Sequence, residues 1–230
     1  MHAVTVRQEI VDRVLARRGR YHLYDALDPA KTAFVVIDMQ NMFCEPGAPA
    51  EVPASRGICG HINRMAAALR EMGGIVIWVT SATARSGGRS DWDHFVNNFV
   101  AEEVRERTVE ALAPGSHGER VWHELEVLPD DLYVRKNRYS ALTPGASRLQ
   151  SLLSGYGIRN VLIGGTKTNI CCESTGRDAM MLDYNVVMVE DCNAALSDDE
   201  HRAALENMIQ QFGDVMTADE TIAVLRKRHN

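Results

Sequence analysis

Apolar residues in this chain gather into six short unbroken runs, separated by segments with the period of an amphipathic helix. The runs are Ala33 to Asp38 (AFVVID), Ile75 to Thr80 (IVIWVT), Leu132 to Lys136 (LYVRK), Asn160 to Gly165 (NVLIGG), Asn185 to Asp191 (NVVMVED) and a short Asp214 to Ala218 (DVMTA). Runs of this kind read as strands buried on both faces, the habit of parallel sheets. Between them, Ile58, Ile62, Met65, Ala66, Leu69 and Met72 share one helical face, as do Leu149, Leu152 and Leu153, and then Leu205, Met208, Ile209 and Phe212. The repetition predicts an α/β fold of three layers, with a six-stranded, mainly parallel sheet between helices.

Two stretches fall outside this rhythm. From Ala82 to Asp131 the chain runs about fifty residues without a sheet strand, longer than an ordinary connection and therefore expected to shape a pocket. It holds a Gly-bearing loop with Trp92, His94 and Phe95, then a helical run around Val100 to Leu112. Residues 1–30 form an N-terminal helical extension in which Ile10, Val11, Val14 and Leu15 make one apolar stripe, suited to packing on the body or on a neighbouring subunit. Residues 31–230 are read as one domain.

Composition narrows the possibilities. The 230 residues carry 25 Lys plus Arg against 31 Asp plus Glu, a net charge of −6 with the basic residues dispersed, which argues against a nucleic-acid groove. No apolar run approaches the roughly 18 residues that cross a bilayer, and the opening MHAVTVRQEIVDRVLARRGR is too charged for a signal peptide, so a soluble cytoplasmic protein with no membrane partner is expected. Five cysteines (Cys44, Cys59, Cys171, Cys172, Cys192) include no CxxC pair and no zinc spacing, so reduced thiols are expected.

In an open parallel sheet, ligands bind beyond the carboxyl ends of the strands. Asp38 closes the first run, Lys136 closes the third, and Cys171 follows the fourth by a short turn. A carboxylate at the end of an apolar strand is costly unless paired, and a lysine nearby would pair it. The turn GTKTN breaks the strand, and a helix is predicted to begin near Asn169 to Cys172, which puts a thiol where the helix dipole and a lysine favour the thiolate. A nucleophile, a carboxylate able to shuttle its proton and a stabilising cation together suit acyl transfer, with turn amides as an oxyanion hole.

The segments VVIDMQN, VRKNRYSA and GGTKTNICCESTGRDAMMLDYNVVMVEDCNAA, in this order and spacing, resemble the isochorismatase-like cysteine hydrolase superfamily over roughly Lys31 to Leu225. The resemblance implies a Rossmann-like sheet, a triad of Asp38, Lys136 and Cys171, and a non-proline cis peptide at Thr166–Lys167. It also implies an oxyanion hole from the backbone N–H groups of Lys167 and Cys171, and a homo-oligomer, dimer or tetramer. Isochorismatases lack the cysteine, so Cys171 points to amide or ureide hydrolysis. Nicotinamidases carry metal-binding histidines soon after the first strand, whereas Gln40 to Gly60 contains no histidine, so neither a metal nor a cofactor is expected. KNRYSA and CESTGRD look most like the ureidoacrylate and N-carbamoyl amidohydrolase branch, with a small amide or ureide as substrate and a thioester intermediate. The same fragments are similar to streptothricin hydrolase, which opens a lactam in a cationic antibiotic. A non-catalytic binding subunit is the alternative of another class, and a lost triad residue would be its mark.

Around the triad, Gln40 and Asn41 are candidates to bind a substrate amide, with turn capping as the competing role. Trp78 and Tyr139 are further candidates, Trp78 against the competing role of core packing. Trp92, His94 and Phe95 are candidate lid residues, and Asp91 and Asp93 could attract a cation or be merely solvated. Cys172, turned about 100° from Cys171 on the helix, is expected to pack as a small hydrophobe.

Overall fold

A computed structural model describes residues 2–86 and 89–227. Six parallel strands form one sheet in the order β5-β2-β1-β6-β7-β8: β1 is Thr32–Ile37, β2 Ile75–Ser81, β5 Leu132–Lys136, β6 Asn160–Thr166, β7 Asn185–Ala194 and β8 Asp214–Met216. Two-residue strands β3 (Arg85–Ser86) and β4 (Arg89–Ser90) make a separate antiparallel ribbon. The helices are α1 (Gln8–Arg18), α2 (Asn41–Cys44), α3 (Cys59–Glu71), α4 (Asp93–Asn98), α5 (Glu102–Ala111), α6 (Leu149–Gly155), α7 (Glu173–Met181), α8 (Asp198–Asn207) and α9 (Ala218–Arg226).

Alternation along β1 divides the core into two. Phe34 and Val36 face α3 and α9, meeting Ile62, Met65, Leu69, Ile222 and Leu225, while Ala33, Val35 and Ile37 face the layer holding Ile10, Val14, Leu149, Leu153, Ala179 and Leu205. Every residue of β1 and β6 is buried, which explains their unbroken apolar character. Strand order reverses between β1 and β6, so the crevice at the carboxyl end of the sheet opens there.

The N-terminal extension packs on the body of its own chain. Ile10 and Val14 are buried, and the Arg7 guanidinium donates to Glu206 at 2.6 Å, whereas Leu15 points outward and is 42% exposed. The expected strand ending at Ala218 stops at Met216, because Thr217 caps α9: its side chain accepts the Glu220 N–H while Glu220 accepts the Thr217 N–H. Strand β7 runs three residues past the expected Asp191, to Ala194, because Asn193 and Ala194 rejoin β6 across a register shift next to Gly165.

Gly165 adopts φ +121°, and a Cβ there would collide with the backbone of Ile37 in β1. Gly165→Ala is expected to cost about 3 kcal/mol or more in chemical denaturation, from strain and collision together. At Gly73, with φ +85° but open space around it, the same substitution should cost only about 1 kcal/mol. Equal losses would contradict the close-approach reading.

Candidate active site

Asp38 is the first residue after β1 and has φ +56°, a left-handed conformation rare outside glycine. Its N–H donates to Val79 O at 2.8 Å, which anchors the turn to β2. Such backbone costs of order 1–3 kcal/mol and is found where the surroundings dictate it, often at functional sites. The turn delivers a fully buried carboxylate to the crevice.

Lys136, the last residue of β5, answers it. Both side chains are 0% exposed and Lys136 Nζ stands 2.8 Å from Asp38 Oδ2. The ammonium also donates to Ser81 Oγ at 2.7 Å and to Arg138 O at 3.1 Å. Ser81 Oγ in turn donates to Asp38 Oδ1 at 2.9 Å. Asp38 Oδ2 has no aligned hydrogen-bond donor and its contact with the ammonium is electrostatic. Burial works to lower the pKa of Lys136, but the charge of Asp38 and the sulfur of Cys171 outweigh it and raise it, so the lysine stays protonated.

Beyond β6, the Thr166–Lys167 peptide is cis, and Thr168–Cys172 forms a π-helical turn that leads into α7. The wide turn is closed by the Cys172 N–H donating to Lys167 O at 3.2 Å. It sets the Cys171 thiol against both Asp38 and Lys136. Here the effects expected to favour the thiolate are opposed by burial. Burial, reinforced by the Asp38 carboxylate and only partly offset by Lys136, pushes the Cys171 thiol up to about 12. The resting site is therefore a neutral thiol beside a carboxylate–ammonium pair.

These groups lie at the base of a cavity of about 370 Å³ whose lining includes Ser81, Lys136, Tyr139, Lys167 and Cys171. Cys172 is buried outside it, its Sγ 3.9 Å from Gly164 O, and Cys44, Cys59 and Cys192 are free and buried elsewhere. Of the four candidate substrate-binding side chains, Tyr139 lines the cavity. Gln40 instead ties strand ends together, donating to Ser81 O at 3.1 Å and Gly118 O at 3.0 Å while accepting the Ser81 N–H at 2.7 Å. Asn41 donates to His117 O at 2.9 Å. Trp78 is 1% exposed in the α3-side core, its indole N–H donating to Asp131 at 2.8 Å. Trp92 and Phe95 do line the cavity, whereas His94, Asp91 and Asp93 do not. Among the described residues, no group of three His, Cys, Asp or Glu side chains is placed to hold a metal ion.

Ser81 was missed from sequence because the second run was ended at Thr80. Extending it by one residue would have put a polar side chain at the end of β2, beside those closing β1 and β5.

The arrangement, a doubly covered parallel sheet with Asp, Lys and Cys converging at its switch point, defines an α/β protein of the cysteine-hydrolase type. The chain matches the Isochorismatase domain over residues 32–220 and belongs to that family. Among similar proteins is a ureidoacrylate amidohydrolase RutB of Agrobacterium fabrum, 32% identical over 212 residues, spanning 86% of this chain and 92% of that protein. Another of that name from Variovorax paradoxus is 32% identical over 210 residues, 86% and 82% of the two chains. A crystal structure of a cysteine hydrolase from Pseudomonas syringae superposes with TM-score 0.76 at 28% identity, covering 85% of this chain and 92% of that one.

The turn that carries Cys171 is braced from behind. Thr168 Oγ1 and His201 Nδ1 are hydrogen-bonded at 2.8 Å, and His2 stacks on His201 with ring centroids 4.5 Å apart. Burial, then the neighbouring His2, pushes His201 down from 6.5 to about 3, so it is neutral at neutral pH. Unfolded, this imidazole takes up a proton near 6.5; folded, it resists protonation until about 3. Its contribution to stability is therefore intact above the upper value and lost progressively as pH falls toward the lower one. Thermal unfolding followed across that window is expected to show a smaller loss of stability for His201→Asn than for the parent chain, and equal losses would refute this role.

Proposed function

We propose that this chain is a cysteine-dependent amidohydrolase that cleaves the C–N bond of a small amide or ureide, with ureidoacrylate or N-carbamoyl compounds as the substrate type. The observation that carries the reading is the Cys171 thiol held against the buried Asp38–Lys136 pair, with Cys171 and Lys136 lining a cavity. The names of the similar amidohydrolases support the same reaction class.

Asp38 accepts the thiol proton as Cys171 Sγ attacks the carbonyl carbon, so that the thiolate exists only as the new bond forms. Lys136 remains charged throughout, offsetting negative charge as it passes from carboxylate to sulfur to oxygen. Backbone N–H groups of Lys167 and Cys171 hold the tetrahedral oxyanion. Its collapse breaks the C–N bond, and Asp38 returns the proton to the departing nitrogen. The remaining thioester, a thiocarbamate in the ureide case, is attacked by water that gives its proton to Asp38. Sulfur then leaves and recovers that proton.

Five free cysteines agree with work in a reducing, cytoplasmic compartment. The exposed apolar end of α7, Met180 to Leu182, offers a surface for a homo-oligomer, dimer or tetramer. The cationic-antibiotic alternative finds no support at the cavity, where, among the described residues, no carboxylate other than that of the paired Asp38 approaches the thiol.

Amine and ammonia release from a panel of ureides and amides tests the reading. Cys171→Ser is expected to lower kcat by about a thousandfold or more. Ser81→Ala, which removes a bridge between two charged groups, should lower it about ten- to a hundredfold. Cys172→Ala should keep activity near that of the parent. Undiminished turnover in Cys171→Ser, or equal losses at the two cysteines, would overturn the assignment.

A further inference from the structure

The cavity above Cys171 is walled by aromatic rings from the long insertion. Trp92 and Phe95 stack with centroids 4.7 Å apart, Tyr139 meets them edge-on at 4.8 and 6.0 Å, and Phe99 extends the stack 6.5 Å beyond Phe95. All four line the same cavity as the thiol, and Met42 and Val104 add aliphatic surface. The Arg138 guanidinium lies over the Trp92 ring, 5.2 Å from its centroid, and is outside the lining, where it steadies the ring. Phe99 is 70% exposed and Tyr139 39%, an unusual amount of aromatic surface to leave facing solvent in one place.

The charges of the wall are equally selective. Among the described residues, the lining holds two charged side chains, Lys136, already engaged by Asp38 and Ser81, and Lys167. The carboxylates nearest the aromatic wall in sequence lie outside the lining and are already hydrogen-bonded: Asp91 accepts from Asn137 Nδ2 at 3.0 Å, and Asp93 from the Ser90 N–H at 2.6 Å. A cation entering here would meet ring faces but no carboxylate of the described lining, with the positive side chain of Lys167 beside it. An uncharged ring would bury its own surface and that of the wall, and could add to the stack in offset or edge-on geometry.

We infer that the substrate is a ureide or amide bearing an apolar substituent of aromatic size, seated on the Trp92–Phe95–Phe99–Tyr139 wall while its carbonyl meets Cys171. The carbonyl half rests on the hydrolase reading above; the apolar half rests on the wall alone. Both occupy one continuous cavity, which ties the wall to the substrate rather than to a separate partner.

The test measures binding by calorimetry to the whole chain carrying Cys171→Ala, with two neutral probes: benzylurea, which carries a ring, and methylurea, which does not. Benzylurea is expected to bind about tenfold more tightly than methylurea, and adding Phe99→Ala or Phe95→Ala should erase most of that preference. The exposed Phe99 ring can be removed without opening the core, so that variant reads the wall even if Phe95→Ala folds poorly. Methylurea binding as tightly as benzylurea, or a preference that survives loss of the Phe99 ring, overturns the inference. So does absence of benzylurea binding with Phe99 buried between subunits, which would assign the wall to a protein partner. Selective benzylurea binding together with no turnover of any amide or ureide by the unsubstituted chain would support the apolar site and overturn the hydrolase reading.

Discussion

A fully buried ion pair is the constraint around which this molecule is arranged. Asp38 and Lys136 face each other at 2.8 Å with no exposure of either side chain, and they come from strands that are not neighbours, since β2 lies between them. Desolvating two charges is repaid only when geometry and further hydrogen bonds are supplied, and removing either partner alone costs about 3–5 kcal/mol. Ser81, at the end of the intervening strand, supplies that geometry by bonding to both groups. Three adjacent strand ends thus close one polar network at the carboxyl edge of an otherwise apolar sheet.

The same network sets the state of the sulfur. A lysine close to a cysteine ordinarily favours the thiolate. Here the lysine's charge is largely answered by Asp38, and burial decides the balance in favour of the thiol. A carboxylate beside a thiol then becomes the natural acceptor of its proton, and the ammonium stays beside the negative charge as it moves from carboxylate to sulfur. The backbone contributes through the left-handed turn at Asp38 and the π-turn that presents Cys171, each placed where the chain leaves one of the two central strands.

Much of this was legible in the sequence. Doubly buried strands leave unbroken apolar runs, so all six were visible, with ends displaced by one residue at β1, β2 and β6 and further where side-chain capping or a register shift decided them, as at Thr217 and Gly165. The residues converging on the crevice were legible because charge at the end of an apolar run needs a reason. Ser81 was hidden because a serine there carries no such cost. Gln40, Asn41 and Trp78 lie close to the crevice in sequence, yet their side chains turn to strand ends, a loop carbonyl and Asp131, directions set by tertiary packing and invisible to spacing. The aromatic wall was only half readable: Phe95 and Phe99 lie on one face of a short helical segment, but which cavity that face addresses depends on how the insertion folds back over the sheet.

The central claim is that the resting site holds a thiol, kept protonated by burial beside the Asp38–Lys136 pair, and not a preformed thiolate. Ultraviolet difference absorbance between the parent chain and its Cys171→Ser variant, titrated from neutral to strongly alkaline pH, reads the ionisation of that one sulfur. The account expects no thiolate signal near pH 7, with absorbance emerging only toward a pH of about 12. A full thiolate signal at neutral pH would contradict it and transfer the role of proton acceptor away from Asp38.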